Sequence, residues 1–190
     1  MSTSPASSER LLTADEFWDL PEPAHGGRME LVAGRVVTEM PVGEIHAFLA
    51  VRLAALFLAF VEKHHLGRVY VELGHRLASE PDTVRAPDVS FLPRAEGALL
   101  SVRYVEEAPA LAVEIMSPDD RESDVAGKVE EYLDGGATRV WIVRPTNRTV
   151  TVHRPGGDAH TYTGRDVLTS ADAGFSADGF ALPLEQLFAE

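Results

Sequence analysis

The chain has 190 residues, of which 45% are hydrophobic, and a formal net charge of −13 at pH 7. This length and composition are typical of one globular domain with a sizeable core. Because nucleic-acid-binding domains usually carry a basic surface, the acidic balance argues against tight, non-specific DNA binding, although it leaves room for a local basic groove. The chain has no cysteine, which excludes disulfides and thiolate zinc sites and suits a cytoplasmic protein.

The N-terminus, "MSTSPASSER", lacks the basic segment and apolar stretch of a secretory signal. We predict a disordered tail over residues 1–12 and a single domain over residues 13–190. In "TADEFWDL", Thr13 and Glu16 have the spacing of a capping box, which predicts a short helix from about residue 14 to residue 20. The alternating runs on either side of Ala33-Gly34 predict a hairpin.

A long helix is predicted from Val42 to Leu66, ending at Gly67. Its apolar residues form more than one stripe, so we expect it to be covered on two sides, and a partner subunit could supply the second cover. Its most apolar stretch, "IHAFLAVRLAALFLAF", is interrupted by Arg52 and is shorter than the ~20 residues that span a bilayer. No association with a membrane is therefore expected.

The rest of the chain alternates between strand and helix patterns. Two strands separated by the turn "EPDT" come first. They are followed by the strand "LAVEIMSP", the helix "DDRESDVAGKVEEYLDGG" and the strand "TRVWIVRP". The predicted order ends with the hairpin "TVTVHRPGGDAHTYTG" and the short helix "LPLEQLF". This order predicts an α+β or mixed α/β fold with a central sheet and helices packed against it.

Glu114 interrupts an otherwise apolar strand. A buried carboxylate must be neutralised, paired or bound to a metal, because an isolated charge is very unfavourable in the interior. If this strand pairs with the one that carries Asp88, a suitable register brings both carboxylates to the same face. Hard divalent ions such as Mg²⁺ would then relieve the repulsion between them. The alternative is that each carboxylate pairs with an arginine or lies at the end of its strand.

Lys128 lies on the helix that follows the Glu114 strand. It falls within the apolar stripe of that helix, three residues after Val125, and the other members of the stripe are Val129, Tyr132 and Leu133. This phase favours an inward side chain that could reach the same carboxylates. The alternative is a solvated ion pair with Asp124, one turn earlier, which would stabilise the helix only slightly.

Five segments of the chain, in this order and spacing, resemble the Uma family of "putative restriction endonucleases" in the PD-(D/E)xK nuclease superfamily: "RMELVAGRVV", "APDVSFLP", "LAVEIMSP", "GKVEEYLDGGATRVWIV" and "LPLEQLF". The resemblance runs from about Thr13 to Phe188. It implies a restriction-endonuclease-like fold, with a mixed sheet flanked by helices, and a homodimer or higher homo-oligomer.

The resemblance also implies roles for individual residues. Pro87-Asp88 resembles the PD element, and Glu114 resembles the acidic residue of the second element. Met116 stands where the superfamily normally has lysine, but the Uma family is similar to this chain in carrying the lysine on the next helix, at the position of Lys128. Asp88, Glu114 and the backbone carbonyl of Ile115 would hold Mg²⁺ or Mn²⁺, and Lys128 would stabilise negative charge on the scissile phosphate.

Three further positions compare with the family. Glu30 matches a glutamate of its first hairpin and could contribute to the metal shell. His46 matches a histidine on its long helix and could carry a proton, although a lone histidine on a helix is more often a packing or surface residue. Arg144 is a departure, because the family usually has aspartate there.

The first hypothesis is thus a metal-dependent endonuclease acting on DNA, with weak, salt-sensitive binding. Five arginines are candidates for phosphate contacts: Arg28, Arg35, Arg76, Arg85 and Arg121. The second hypothesis is a non-catalytic, oligomeric binding or regulatory module on the same scaffold, because fold does not imply function. The net charge and the missing lysine at position 116 favour this second hypothesis.

Overall fold

The computed structural model of the chain describes residues 10–24, 26–94, 97, 99–118 and 120–189. Most of the disordered tail predicted for residues 1–12 lies outside these residues. The described helices are α1 (Ala14–Trp18), α2 (Glu44–Lys63), α3 (Glu122–Asp134), α4 (Ser170–Ala173) and α5 (Leu184–Leu187). The described strands are β1 (Arg28–Val32), β2 (Arg35–Glu39), β3 (Gly67–Val71), β4 (His75–Ala78), β5 (Thr83–Arg85), β6 (Val89–Pro93), β7 (Leu111–Ile115), β8 (Arg139–Arg144), β9 (Thr149–His153), β10 (Ala159–Thr163), β11 (Val167–Thr169) and β12 (Ala181–Pro183).

A six-stranded sheet in the order β10-β9-β8-β7-β6-β3 forms the centre of the fold. It is mixed, because β7 and β8 run parallel while its other neighbouring strands run antiparallel. Since strand residues alternate between faces, Val113 and Trp141 pack under α2 while Ala112 and Ile142 pack under α3. The predicted fold class, a central mixed sheet flanked by helices, is confirmed.

A second, antiparallel sheet in the order β2-β1-β5-β4 lies beside the central one. Its presence corrects the strand predictions, because "RVYVELGHRLAS" and "VRAPDVSFLP" each divide into two strands that belong to different sheets. Pro87 gives one reason, since proline has no N–H to donate to a ladder and is excluded from the middle of a sheet. Asp88 consequently lies where the chain passes from the small sheet to the central one.

Local signals predict where α1 begins and where β1 turns into β2, although α1 ends at Trp18 and not near residue 20. Thr13 and Glu16 form the predicted capping box at α1. Ala33 and Gly34, with φ angles of 48° and 75°, form the two-residue loop between β1 and β2. Such loops favour positive φ because their twist matches that of the paired strands. The register of this hairpin places Arg28 opposite Glu39.

Helix α2 is buried along one side only. Leu53 and Phe57 are fully buried in the core, whereas Ile45 and Val51 on the outer side are 55% and 70% exposed. With 20 residues and a mean hydropathy of 1.9, α2 is long and apolar enough to cross a membrane. The shorter apolar stretch within it indicates a helix too short for a span, but the length of the whole helix does not exclude one. One helix of this kind does not indicate a membrane protein, because core helices of soluble folds share its length and composition.

Candidate functional site

Asp88 directly precedes β6, and Glu114 lies on the neighbouring strand β7 of the central sheet. Strands β6 and β7 pair antiparallel with Val89 opposite Val113, so Asp88 and Glu114 occupy the next positions along the two strands. The backbone N–H of Ile115 donates a hydrogen bond of 2.7 Å to Asp88 Oδ2. The predicted pairing of these strands is therefore confirmed, and both carboxylates are buried.

Lys128 reaches the carboxylates from α3. Its Nζ lies 3.2 Å from Glu114 Oε2, 2.5 Å from Glu39 Oε1 and 3.8 Å from Glu30 Oε2. The inward orientation predicted from the helical phase is confirmed, and within the described parts of the chain these three carboxylates are its ion-pair partners rather than Asp124. Burial disfavours its charged form, but the three carboxylates outweigh burial and raise the pKa of Lys128 above its usual value.

Glu114 is a buried acid of the site with a neutral hydrogen-bond donor. The hydroxyl of Tyr132 donates a hydrogen bond of 2.7 Å to its Oε1. Burial raises the pKa of Glu114 to about 7; Lys128 acts in the opposite direction, and the negative charge of Asp88 adds to the rise. An additional positive charge close to Glu114 would favour the ionised form of its carboxyl group.

Asp88 has two basic neighbours. His46 Nε2 lies 3.2 Å from Asp88 Oδ2, and Arg28 Nη1 lies 3.6 Å from Oδ1. Burial lowers the pKa of His46, but the hydrogen bond and charge of Asp88 outweigh burial and raise it overall. Among the described residues, His46 Nδ1 and Arg28 Nη1 are buried without a hydrogen-bond partner. His46 therefore faces the predicted site rather than solvent.

Glu30 is held firmly on β1. Its Oε2 accepts a hydrogen bond of 2.7 Å from Arg85, and its Oε1 accepts one of 2.9 Å from the backbone N–H of Ala86. Ala86 lies two residues before Asp88, so Glu30 fixes the segment that delivers Asp88 to the site. The structure thus brings together Glu30, His46, Asp88, Glu114 and Lys128, but Glu30 is mainly engaged in holding the backbone. Of the candidate phosphate-binding arginines, Arg76 instead pairs with Asp82 and Glu106.

Glu39 and Arg28 form a part of the site that the sequence analysis missed or left undefined. Arg28 Nε donates a hydrogen bond of 3.1 Å to Glu39 Oε2, and the Nη2 group bonds the same oxygen. Burial opposes ionisation of Glu39, but Lys128 and Arg28 outweigh it and lower the pKa of Glu39 to about 2. A two-residue hairpin loop fixes which residues face each other, so the predicted loop already contained the signal for this pair.

The two departures from the family pattern have structural counterparts. Met116 packs with the apolar residues under α3, and Lys128 reaches Glu114 from that helix instead. Arg144, at the end of β8, donates a hydrogen bond of 2.7 Å to Glu122 at the start of α3. An arginine at position 144 therefore fixes the beginning of the helix that carries Lys128.

The oxygen atoms of the site suit an ion such as Mg²⁺, which keeps part of its water shell, better than an ion held by protein ligands alone. No group of three or more histidine, aspartate or glutamate side chains within the described ranges is arranged to hold a metal. Mg²⁺ commonly binds through one or two carboxylates and completes its shell with water and phosphate. Asp88, Glu114 and the carbonyl of Ile115 offer such oxygens, and burial, with a smaller effect of the Asp88 charge, raises the pKa of Glu114. The metal and catalytic roles of these residues, and of Lys128, stay predictions.

Comparison with known proteins assigns a family and a structural relative. A family model described as "Uma2: Putative restriction endonuclease" matches residues 14–185. Among solved structures, the chain is similar to one described as "a putative nuclease belonging to DUF820" from Anabaena variabilis ATCC 29413. The two are 26% identical with a TM-score of 0.75, and the match covers 94% of this chain and 98% of that one. No curated protein matches the chain.

Proposed function

Because the chain belongs to the Uma2 family of "putative restriction endonucleases", we propose that it is a Mg²⁺- or Mn²⁺-dependent endonuclease that hydrolyses phosphodiester bonds in DNA. The observation that carries this proposal is the meeting of Lys128 and Glu114, at 3.2 Å, beside the strand that delivers Asp88. An acid–acid–lysine group of this kind provides oxygen ligands for a metal and a positive charge for a phosphate.

In this proposal, Asp88, Glu114 and the carbonyl of Ile115 hold the divalent ion. When bound, the ion supplies positive charge that polarises the scissile phosphate and favours ionisation of a water molecule. The Ile115 N–H, already bonded to Asp88, fixes the orientation of that carboxylate. The Tyr132 hydroxyl does the same for Glu114.

Lys128 would bind a phosphate oxygen and stabilise the negative charge that develops during hydrolysis. Its raised pKa keeps it cationic at neutral pH. We assign His46 to holding Asp88 and exchanging protons at its Nε2, which lies 3.2 Å from the carboxylate. Glu30 would keep Lys128 and the backbone before Asp88 in place, with the metal shell as its secondary role.

DNA binding is expected to be weak and salt-sensitive. Contacts with phosphates provide most non-specific affinity, and a net charge of −13 opposes them. Arg28, next to Asp88, is the best placed of the arginines considered from sequence. A cytoplasmic location belongs to the same proposal and is consistent with the absence of cysteine.

The test is nicking of supercoiled plasmid DNA in the presence of Mg²⁺ or Mn²⁺. Asp88→Asn and Lys128→Ala should abolish nicking, while Asp158→Asn and Lys63→Ala should retain it. Lys63 is a suitable control because it is the chain's other lysine and is exposed. Equal nicking by all variants, or no metal-dependent cleavage of any DNA substrate by the unmodified chain, would contradict the proposal.

One observation favours the alternative of a non-catalytic binding or regulatory module. Lys128 is already paired with three carboxylates, as expected for a structural ion-pair network. Calorimetric titration with Mn²⁺ separates the two functions. Binding that disappears in Asp88→Asn supports the enzyme, whereas a chain that binds no Mn²⁺ supports the module.

We further propose that the chain forms a homodimer or a higher homo-oligomer through the outer side of α2. The exposed apolar residues there recur every three or four positions and form one stripe: Ile45, Phe48, Val51, Ala55 and Leu58. A continuous apolar stripe on a helix typically packs against another element.

A further inference from the structure

The carboxylate of Glu39 bridges two cations of the site. Its Oε1 lies 2.5 Å from Lys128 Nζ, and its Oε2 accepts a hydrogen bond of 3.1 Å from Arg28 Nε. The side chains of Lys128 and Arg28 are only 16% and 20% exposed. Two largely buried cations that face one small anion between them have the arrangement of an anion-binding site.

A phosphodiester group resembles this carboxylate in two respects. Each carries one negative charge, and each presents two oxygens that accept hydrogen bonds. Arginine and lysine are also the side chains that most often bind phosphate, arginine through two parallel N–H groups and lysine as a point charge. The pair formed by Arg28 and Lys128 therefore suits a phosphodiester as well as it suits Glu39.

We propose that Arg28 and Lys128 form a subsite for one phosphodiester group, and that Glu39 occupies this subsite in the free protein as an internal competitor. A backbone phosphate of the nucleic acid then binds by displacing the Glu39 carboxylate. This inference rests on the proposed function for the class of substrate, and it adds the phosphate-binding residues and a built-in restraint on binding.

Glu39 is better able to leave than the other two partners of Lys128. Its side chain is 27% exposed, compared with 9% for Glu114 and 0% for Glu30. It is the last residue of β2, an edge strand that pairs only with β1 in its sheet. Glu114, in contrast, lies in a central strand and accepts the Tyr132 hydroxyl, and Glu30 is bonded to Arg85 and a backbone N–H.

The exchange preserves the charge balance of the site. Removing an anion from two buried cations without replacement would be strongly unfavourable, but an incoming phosphodiester restores the lost negative charge. Arg28 Nη1, which has no hydrogen-bond partner among the described residues, supplies an additional donor. Because Lys128 and Arg28 hold the pKa of Glu39 near 2 against the effect of burial, Glu39 leaves as a charged group by movement and not by protonation.

The test compares binding of a fluorescein-labelled twelve-nucleotide oligothymidylate in EDTA, by fluorescence anisotropy, to the unmodified chain and to Glu39→Gln. Glutamine keeps the size of the side chain and removes the competing charge, so affinity should rise by about fivefold or more. Glu106→Gln is the matched control, because Glu106 is also paired with an arginine, Arg76 at 3.0 Å, and makes the same change in net charge. Its affinity should stay within about twofold of the unmodified chain.

The double variant Arg28→Gln/Glu39→Gln should not show the increase in affinity for the oligothymidylate that Glu39→Gln shows. A gain that is equal in Glu39→Gln and Glu106→Gln, or that survives removal of Arg28, would overturn the inference. A measurement on the unmodified chain guards against misfolded variants: inorganic phosphate should shift the ¹³C carboxyl resonance of Glu39 and leave that of Glu106 in place. An unmoved Glu39 resonance at saturating phosphate would also overturn it.

These measurements need no cleavage, so they separate the inference from the proposed function. Tighter binding by Glu39→Gln in a chain that never cleaves DNA would retain the subsite and reject the nuclease. Metal-dependent cleavage by a chain in which Glu39→Gln binds no more tightly than Glu106→Gln would retain the nuclease and reject the subsite.

Discussion

Lys128 Nζ and Glu114 Oε2 lie 3.2 Å apart across the interface between α3 and the central sheet. The two residues are separated by 14 positions, so one strand–helix connection is sufficient to bring them together. The contact places a lysine beside a buried acid, so the stability of the fold depends on this pair and its neighbours.

Lys128→Ala should destabilise the fold because it leaves the buried Glu114 and Glu30, and the half-buried Glu39, without their shared cation. Removing one partner of a buried ionic group typically reduces the free energy of unfolding by about 3 kcal/mol or more. Urea denaturation at neutral pH measures the change. Lys63→Ala, at an exposed helix end, should change it by less than about 0.5 kcal/mol. Similar losses for both lysines would contradict a buried role for Lys128.

The ionisation of Glu114 should make stability depend on pH. Its pKa is about 7 in the folded chain, against a usual value of 4.5 for glutamate, so the folded state binds more protons than the unfolded state between these values. The stabilising contribution of the protonated group is therefore complete below the lower pKa and is lost as pH rises through the higher one. Relative to Glu114→Gln, the unmodified chain should lose about 3 kcal/mol of unfolding free energy between about pH 5 and about pH 8.

Urea denaturation of both proteins across this pH range provides the measurement. Glu185→Gln serves as the control, because Glu185 is exposed and its 3.7 Å pair with Arg165 lies on the surface. The difference in unfolding free energy between Glu185→Gln and the unmodified chain should stay constant with pH. A constant difference for Glu114→Gln as well would show that Glu114 titrates as an ordinary glutamate.

Tyr132→Phe should destabilise the chain by about 1–3 kcal/mol, because it removes the donor to a buried Glu114 oxygen and leaves that acceptor unpaired. Thermal unfolding followed by circular dichroism gives the change. Tyr104→Phe is the matched substitution, since the Tyr104 hydroxyl lies 3.3 Å from the exposed Asp15. The Tyr104 variant should unfold close to the unmodified chain, and an equal loss in both would argue against a special role for the Tyr132 hydroxyl.

Val51→Arg should dissociate the proposed oligomer, because it places a charge in the middle of the apolar stripe of α2. Light scattering coupled to size-exclusion chromatography measures the molar mass. Val71→Arg introduces the same charge at another exposed valine, on edge strand β3, and should leave the assembly intact. A monomeric unmodified chain would refute assembly through α2.

Much of the fold was predictable because its signals are local. The capping box at Thr13, the hairpin loop at Ala33-Gly34 and the inward phase of Lys128 each depend on residues within a few positions of one another, and the structure contains all three. The fold class followed from the order of such elements and from the resemblance to a family.

The second sheet and the role of Glu39 depend on longer-range contacts. Glu39 and Lys128 are 89 positions apart, and their contact requires the small sheet to dock beside the central one. Periodicity indicates which residues are buried but not which sheet a strand joins. The strand segments that contain Gly74 and Pro87 were therefore predicted as continuous, although each changes sheet at that point.

The passage of the chain between its two sheets has a consequence for the evolution of the protein. The small sheet supplies Glu30 and Glu39, while Glu114 comes from the central sheet, and the ion pairs of these three residues with Lys128 join the two sheets. Substitutions in this group of ion-paired residues therefore change both the chemistry of the site and the stability of the contact between the two sheets. Adaptation of the site is thus constrained by the integrity of the architecture, and compensating changes are expected along the boundary between the sheets.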